Sequence, residues 1–415
     1  MKKTYKISII LLGILVSFAI LFVGCENTDN PNPNNNVPEL RSITESEALV
    51  IENSNNFSFD LFSRINAEHQ NENIFISPFS ITTALSMTLN GANGETLEAM
   101  KNTLGYGSMS NEEINQAYKS LVDFIFSLDK TVELNIANSN WYKDEYHIRP
   151  EFESILSDYY DAEIMAADFD DPKLKDEINK WIENATNGKI KNMLDDVPAD
   201  AVMYLINAIY FKAQWKYKFD KGETENRPFY LEDGSEVQAE TMFTEGAKIN
   251  YSQANGIRLV DIPYGNGQFY FTILLPEDAS QINELAENLT VKQFEDLLSD
   301  TISYKTRIYL PKFKLQFKKE LLPILDAMGL NDGGSDLSNL FVENLDLFIS
   351  KVLHQSFLEV NEEGSEAAAA TVVQVELTSL PAEPATIHVD RPFLFFIREN
   401  HSHTILFSGK LMDPR

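Results

Sequence analysis

Apolar positions in the first half of the chain recur at helical spacing. Ser77 followed by Pro78 sets a capping hydroxyl before a proline suited to a first helical turn, and Ile81, Ala84, Leu85, Thr88 and Leu89 then share one face until Gly91. This pattern predicts a buried helix. Leu174, Ile178, Trp181 and Ile182 form a stripe among charged neighbours, which predicts an amphipathic helix lying on a surface. Farther on the pattern becomes that of strands. Val202 to Phe211 is nearly continuous apolar sequence, as in a strand covered on both faces, so its lone Asn207 must find a buried partner. Phe269 to Leu275 predicts a second apolar strand, and Phe313, Leu315 and Phe317 alternate with Lys312, Lys314 and Gln316 as a half-buried one. Phe393 to Ile397 and Thr404 to Phe407 flank a polar turn and predict a closing hairpin. Helices early and strands late indicate an α+β fold.

Residues 361 to 390, NEEGSEAAAATVVQVELTSLPAEPATIHVD, show no helical stripe and no turn signal before Pro381. A loop of this length inside a folded domain is usually functional or disordered. From Ser365 the alternate positions are Ser365, Ala367, Ala369, Thr371, Val373 and Val375, all small or β-branched and all uncharged, and a strand would place them on one face. The opposite set is Glu366, Ala368, Ala370, Val372, Gln374 and Glu376. The segment thus reads as an exposed loop already suited to being a strand. Taken alone, it also fits a plain edge strand or an alanine-rich linker, and its AAAA run could be helical.

Composition bounds the rest. The chain has 415 residues, 43% of them hydrophobic, enough for a large core, and length alone would suggest more than one domain because single cores stop growing near about 250 to 300 residues. Residues 26 to 41 read ENTDNPNPNNNVPELR, a polar tether with too little apolar surface to fold, and no comparable linker follows Ser42. One folded unit is therefore expected. With 34 Lys and Arg against 63 Asp and Glu, the formal charge is -29, which disfavours nucleic acid and a heparin-type polyanion as partners. The single cysteine, Cys25, excludes an internal disulfide and a cysteine-built zinc site. Met1, Lys2, Lys3 and Lys6 form a cationic start, the apolar run Ile7 to Val23 follows, and Gly24 precedes Cys25. This is an export signal and resembles the lipobox of bacterial lipoproteins, in which the thiol is acylated and the leader removed. An uncleaved membrane anchor is the alternative. The expected organisation is a signal peptide over 1–24, lipidated Cys25 with a disordered tether over 25–44, and a domain over 45–415. The chain would then sit outside the cytoplasm, lipid-anchored to the bacterial envelope at the outer membrane or cell surface.

Several motifs together resemble the serpins. Asn73 to Ile81 (NIFISPFSI), then Gly91, Ala92, Glu95 and Thr96, are similar to the family's central helix and the turn after it. Asn207, Phe211, Lys212 and Trp215 resemble the strand entering the region called the breach. Leu310 to Phe313 (LPKF), Met328 to Leu330 and Asp336 to Ser338 follow in family order. Ile349 to His354 (ISKVLH) and Glu362 to Ala370 (EEGSEAAAA) resemble the strand and hinge before the reactive loop, and Arg391 to Phe396 and Phe407 to Lys410 the carboxy-terminal signature. The likeness runs from about residue 45 to 415 and is of a bacterial lipoprotein, miropin-like type.

The resemblance implies a monomeric serpin domain of about nine helices and three β-sheets, with an exposed reactive-centre loop over about 362–390. It implies an inhibitor, not an enzyme, with no cofactor: a protease cuts the loop, and the severed strand enters the main sheet before the acyl-enzyme is hydrolysed. The hinge would be Glu362, Glu363, Gly364, Ser365, Glu366, Ala367, Ala368, Ala369 and Ala370. Ser77, Ser80, Asn207 and His354 match the polar shutter that holds the sheet closed; Trp215 belongs to the breach, and Lys312 matches the partner of Glu362 in a hinge ion pair. Counting from Gly364 by family spacing puts the reactive bond at Thr378 and Ser379, with Leu377, Leu380 and Val375 as alternatives. Thr378 suits elastase-like or subtilisin-like serine proteases. Leu377 suits papain-like cysteine proteases, or chymotrypsin-like ones if the bond is one residue earlier. A non-inhibitory serpin acting as a surface binding protein is the second reading. Enzyme motifs do not support a third: HExxH, GxSxG and a glycine-rich phosphate loop are absent, and the turn residues His401 and His403 lack a third ligand. His69, His147 and His388 stand alone in sequence.

Overall fold

The computed structural model describes residues 40–198, 200–365 and 385–415. Its helices are α1 (Glu45–Glu68), α2 (Pro78–Leu89), α3 (Gly94–Thr103), α4 (Asn111–Ser127), α5 (Pro150–Tyr160), α6 (Leu174–Ala185), α7 (Ile282–Asn288), α8 (Val291–Ser299) and α9 (Leu322–Ala327). Thr44 and Ser110 begin α1 and α4 with capping boxes closed by Glu47 and Glu113, which satisfy backbone donors that a helix start leaves open. Helix α2 starts as its sequence predicts. The Ser77 hydroxyl accepts from the Ser80 amide, and Pro78 occupies the first turn, where its missing N–H costs nothing.

The strands are β1 (Ile74–Ile76), β2 (Glu133–Lys143), β3 (Glu163–Ala167), β4 (Met203–Gln214), β5 (Glu225–Tyr230), β6 (Glu236–Ala254), β7 (Ile257–Pro263), β8 (Phe269–Pro276), β9 (Ile302–Pro311), β10 (Phe313–Glu320), β11 (Leu353–Asn361), β12 (Gly364–Ser365), β13 (Ala385–His388), β14 (Phe393–Glu399) and β15 (Ile405–Leu411). The smaller sheet has the order β10-β11-β12-β4-β2-β3. The larger has the order β1-β15-β14-β8-β7-β6-β9-β13, with β5 added on β6. Among the described residues the strands therefore form two sheets where three were expected. The cause is β6, 19 residues long, which pairs with β5 at its start, with β9 along its middle and with β7 at its end. Its ladder shifts between Glu245 and Ala247 at Gly246, whose φ of 79° supplies the bulge that bends one strand through both regions.

Strand β10 alternates buried and exposed as its sequence predicts, and the predicted carboxy-terminal hairpin is β14 paired with β15 from Phe393↔Leu411 to Arg398↔Ile405. One large core runs from α1, α2 and α4 to both sheets. A second cluster lies against the other face of the smaller sheet, where Leu174, Ile178 and Ile182 of α6 cover Trp141 of β2 and Ile206 of β4. Strand β4 is thus apolar on both faces because α6 roofs one of them. No helix among the described residues is long and apolar enough to cross a membrane.

Candidate functional site

Strands β4 and β11 do not pair with each other directly. The two residues of β12 lie between them, with Val360↔Ser365 and Asn361↔Gly364 on one side and Gly364↔Gln214 and Ser365↔Ala213 on the other. Gly364 has a φ of 153°, and a Cβ there would overlap the Ala213 carbonyl oxygen, so a side chain is excluded at this point of the turn. Ser365 is fully buried, and its hydroxyl lies 2.5 Å from that of Tyr264. This corrects the exposed-loop expectation at its start: Gly364 and Ser365 are sheet residues, because the turn directs them between two strands that both offer ladder partners. At the far end Ala385–His388 is also a strand, β13, parallel to β9. Glu366, Ala367, Ala368, Ala369, Ala370, Val375, Leu377, Thr378, Ser379 and Leu380 lie outside the described residues, as does Cys25.

The turn that feeds β12 is held from several directions. Trp215 donates its indole N–H to the Asn361 carbonyl at 2.8 Å and its backbone N–H to the Glu363 carbonyl at 2.9 Å. Glu362, largely buried, accepts from Thr224 at 2.8 Å and pairs with Lys312 at 3.1 Å. Burial raises its pKa, but its own amide, Thr224 and Lys312 outweigh that and hold the carboxyl below the usual range. Glu363 pairs with Lys221 at 2.8 Å and Lys218 at 2.9 Å, and these ammonium groups hold its carboxyl low as well. The predicted Lys312–Glu362 contact is therefore one of three lysine contacts to adjacent glutamates.

The four residues expected to form a shutter also meet. The Ser77 amide donates to His354 Nε2 at 3.1 Å, and the Ser77 hydroxyl donates to the Leu406 carbonyl at 2.7 Å. The Ser80 hydroxyl bonds Asn207 Oδ1, and Asn207 Nδ2 donates to Asn138 Oδ1 at 2.6 Å. Hence the start of α2 touches β11 through His354 and β4 through Asn207. Full burial pushes the His354 imidazole down to about 4, so it is neutral at pH 7 and Nε2 can accept. The partner that Asn207 requires is thus supplied twice.

Sequence reasoning missed Asn138, Thr224, Lys218, Lys221 and Tyr264. Asn138 carried a signal, since Asn is disfavoured in strands and recurs in β2 at Asn135, Asn138 and Asn140. Tyr264 carried none: it follows β7 directly, and its ring stacks on Trp215 at 4.5 Å and meets Phe211 edge-on at 5.4 Å through contacts remote in sequence.

Comparison with known proteins places this arrangement. The family model described as "Serpin (serine protease inhibitor)" matches residues 52–414. The chain is 34% identical over 372 residues to the leukocyte elastase inhibitor of Xenopus laevis, covering 86% of this chain and 97% of that protein. Among solved structures it is similar to the thermophilic serpin tengpin in its native state, with a TM-score of 0.79, 32% identity and coverage of 90% and 96%. It is likewise similar to human thyroxine-binding globulin complexed with thyroxine, with a TM-score of 0.80, 28% identity and coverage of 89% and 99%. The chain belongs to the serpin family, whose members are generally non-catalytic protease inhibitors.

Proposed function

We propose that this protein is a suicide-substrate inhibitor of serine endopeptidases, with papain-like cysteine endopeptidases as an open second class. The observation that carries the reading is that, among the described residues, β4 and β11 are joined through β12 alone, beside a sequence whose alternate residues are small and uncharged. Below Ser365 the facing edges of β4 and β11 have no partner among the described residues on the side between them, and the sequence that follows would, as a strand, put Ala367, Ala369 and Thr371 on the same face as Ser365. A charge, a bulky side chain or a proline at those positions would stall insertion between paired strands. Insertion of about ten residues would add ladder hydrogen bonds contributing roughly 5 to 15 kcal/mol, comparable to the stability of a whole domain. That release is large enough to deform a protease still bound to the severed end.

Elastase-like enzymes are the first target to test, supported by Thr378 at the counted bond and by likeness to a leukocyte elastase inhibitor. Subtilisin-like, chymotrypsin-like and papain-like enzymes follow. The lipid anchor at Cys25, the bacterial envelope location and the monomeric state belong to the same proposal and rest on the amino-terminal sequence and the resemblance. A non-inhibitory binding protein is the second reading, favoured by likeness to thyroxine-binding globulin. Denaturing gels separate the two, because the inhibitor gives a covalent band with a serine protease and a released carboxy-terminal peptide beginning within residues 375 to 381. Ser365→Arg should turn inhibitor into substrate. Stable complexes formed by that variant would refute the mechanism.

A further inference from the structure

We propose that Tyr264 is the residue that positions the hinge: its hydroxyl holds the Ser365 hydroxyl inside the sheet before a protease arrives, so insertion begins from a strand whose first pairs already exist. The inference rests on the inhibitory reading above and assigns it a residue that the family motifs did not point to.

Both hydroxyls are buried, and they lie 2.5 Å apart. Neither has another partner among the described residues, so removing one leaves the other dry and unpaired, which makes the bond matter from both sides. The ring that carries the phenol cannot easily turn away. It is stacked on Trp215 at 4.5 Å and faces the edge of Phe211 at 5.4 Å. Burial also keeps the phenol protonated, its pKa pushed up against the opposing effect of the Ser365 bond. Trp215 in turn grips Asn361 and Glu363, the residues leading into β12, while Lys218 and Lys221 pair with the Glu363 carboxylate. Tyr264, Trp215 and the hinge thus form one closed set of contacts: the indole fixes the turn, and the phenol fixes the residue after it.

The consequence is kinetic. Ordering the first residues of a strand is the slow part of zipping, because conformational freedom is lost before many ladder bonds form. A hinge docked at rest has already passed that step. Insertion then outruns hydrolysis of the acyl-enzyme more often, which lowers the number of inhibitor molecules consumed per protease inactivated.

The test uses the full chain with Tyr264→Phe, Ser365→Val, Ser365→Thr and the Tyr264→Phe/Ser365→Val double variant. Hydrogen exchange of peptides covering residues 361–365 reads docking without any protease. Stoichiometry of inhibition and the rate of first attack are measured with an elastase-like enzyme. Tyr264→Phe and Ser365→Val should each speed exchange and raise the stoichiometry by about three- to tenfold, the factor that one buried hydrogen bond commands. Ser365→Thr, which keeps the hydroxyl that valine lacks, should behave as wild type. The double variant should be no worse than either single one, because one bond is being removed twice. Additive effects, a threonine variant as impaired as valine, or a faster first attack at unchanged stoichiometry would each overturn the proposal. Wild-type protein that forms no covalent complex refutes the inhibitory reading, whereas exchange unaltered by Tyr264→Phe refutes the positioning role.

Discussion

Acid should loosen the shutter through His354, and the size of the effect follows from its burial. In the unfolded chain the imidazole titrates near 6.5, whereas the folded protein holds it down to about 4. Between those values the unfolded chain binds a proton that the folded one refuses, so stability falls as pH drops through this window and this group takes no more below it. The full separation corresponds to roughly 3 kcal/mol, a large share of the 5 to 15 kcal/mol that holds a typical domain together. Locally, a protonated Nε2 can no longer accept from the Ser77 amide, so α2 loses its bond to β11 while keeping those of Ser77 to Leu406 and of Ser80 to Asn207. The assay is urea unfolding of wild type and His354→Gln at pH 7 and pH 4.5. Carboxylates that titrate in both proteins cancel in the comparison. Wild type should lose about 2 to 3 kcal/mol more than the variant over that interval. Equal losses would show that His354 is not held neutral by its surroundings.

Two further outcomes are expected. Gly364→Ala should drive β12 from its place, because the added methyl meets the Ala213 carbonyl in a backbone region costing a side chain about 1 to 3 kcal/mol; a glutamate-specific protease should then cut at Glu362 or Glu363 sooner, and unchanged cutting would refute the steric argument. Arg398→Met strands Asp261, its fully buried partner at 2.6 Å, and should destabilise the larger sheet by about 3 to 5 kcal/mol in denaturant unfolding, much of it recovered by adding Asp261→Leu; a loss below about 1 kcal/mol would mean that water reaches the pair.

What the sequence disclosed was local. The serine, proline and apolar stripe that begin α2 are neighbours in the chain and act on one another, and β10 declares its buried face by alternation alone. The merging of sheets through β6 was harder, since it depends on which strands pair along its length, although Gly246 marked the bulge. Glu362, Gly364 and Ser365 were legible as part of a motif, but their burial was not. Ser365 is docked by a tyrosine 101 residues away, and no periodicity reports a contact of that kind.

The separation of β4 from β11 is what gives these contacts a purpose. On their outer sides both strands are locked by long ladders, β4 to β2 from Glu133↔Lys212 to Tyr142↔Met203 and β11 to β10 from Phe313↔Val360 to Glu320↔Leu353. Along the line between them, the described residues offer the two residues of β12 and two bonds to the start of α2, from the Ser77 amide to the His354 ring of β11 and from the Ser80 hydroxyl to Asn207 of β4. The sheet can therefore part along one line without losing a ladder bond of either flank. Parting there breaks the Ser77–His354 and Ser80–Asn207 bonds and disturbs packing against α2 and α6, and on the proposed inhibitory reading a strand admitted there would gain a ladder on each side. On the inhibitory reading proposed above, a sheet that costs little to open and gains much when filled would stay closed only as long as no strand were free to enter, and cutting the chain beyond Ser365 is what would free one.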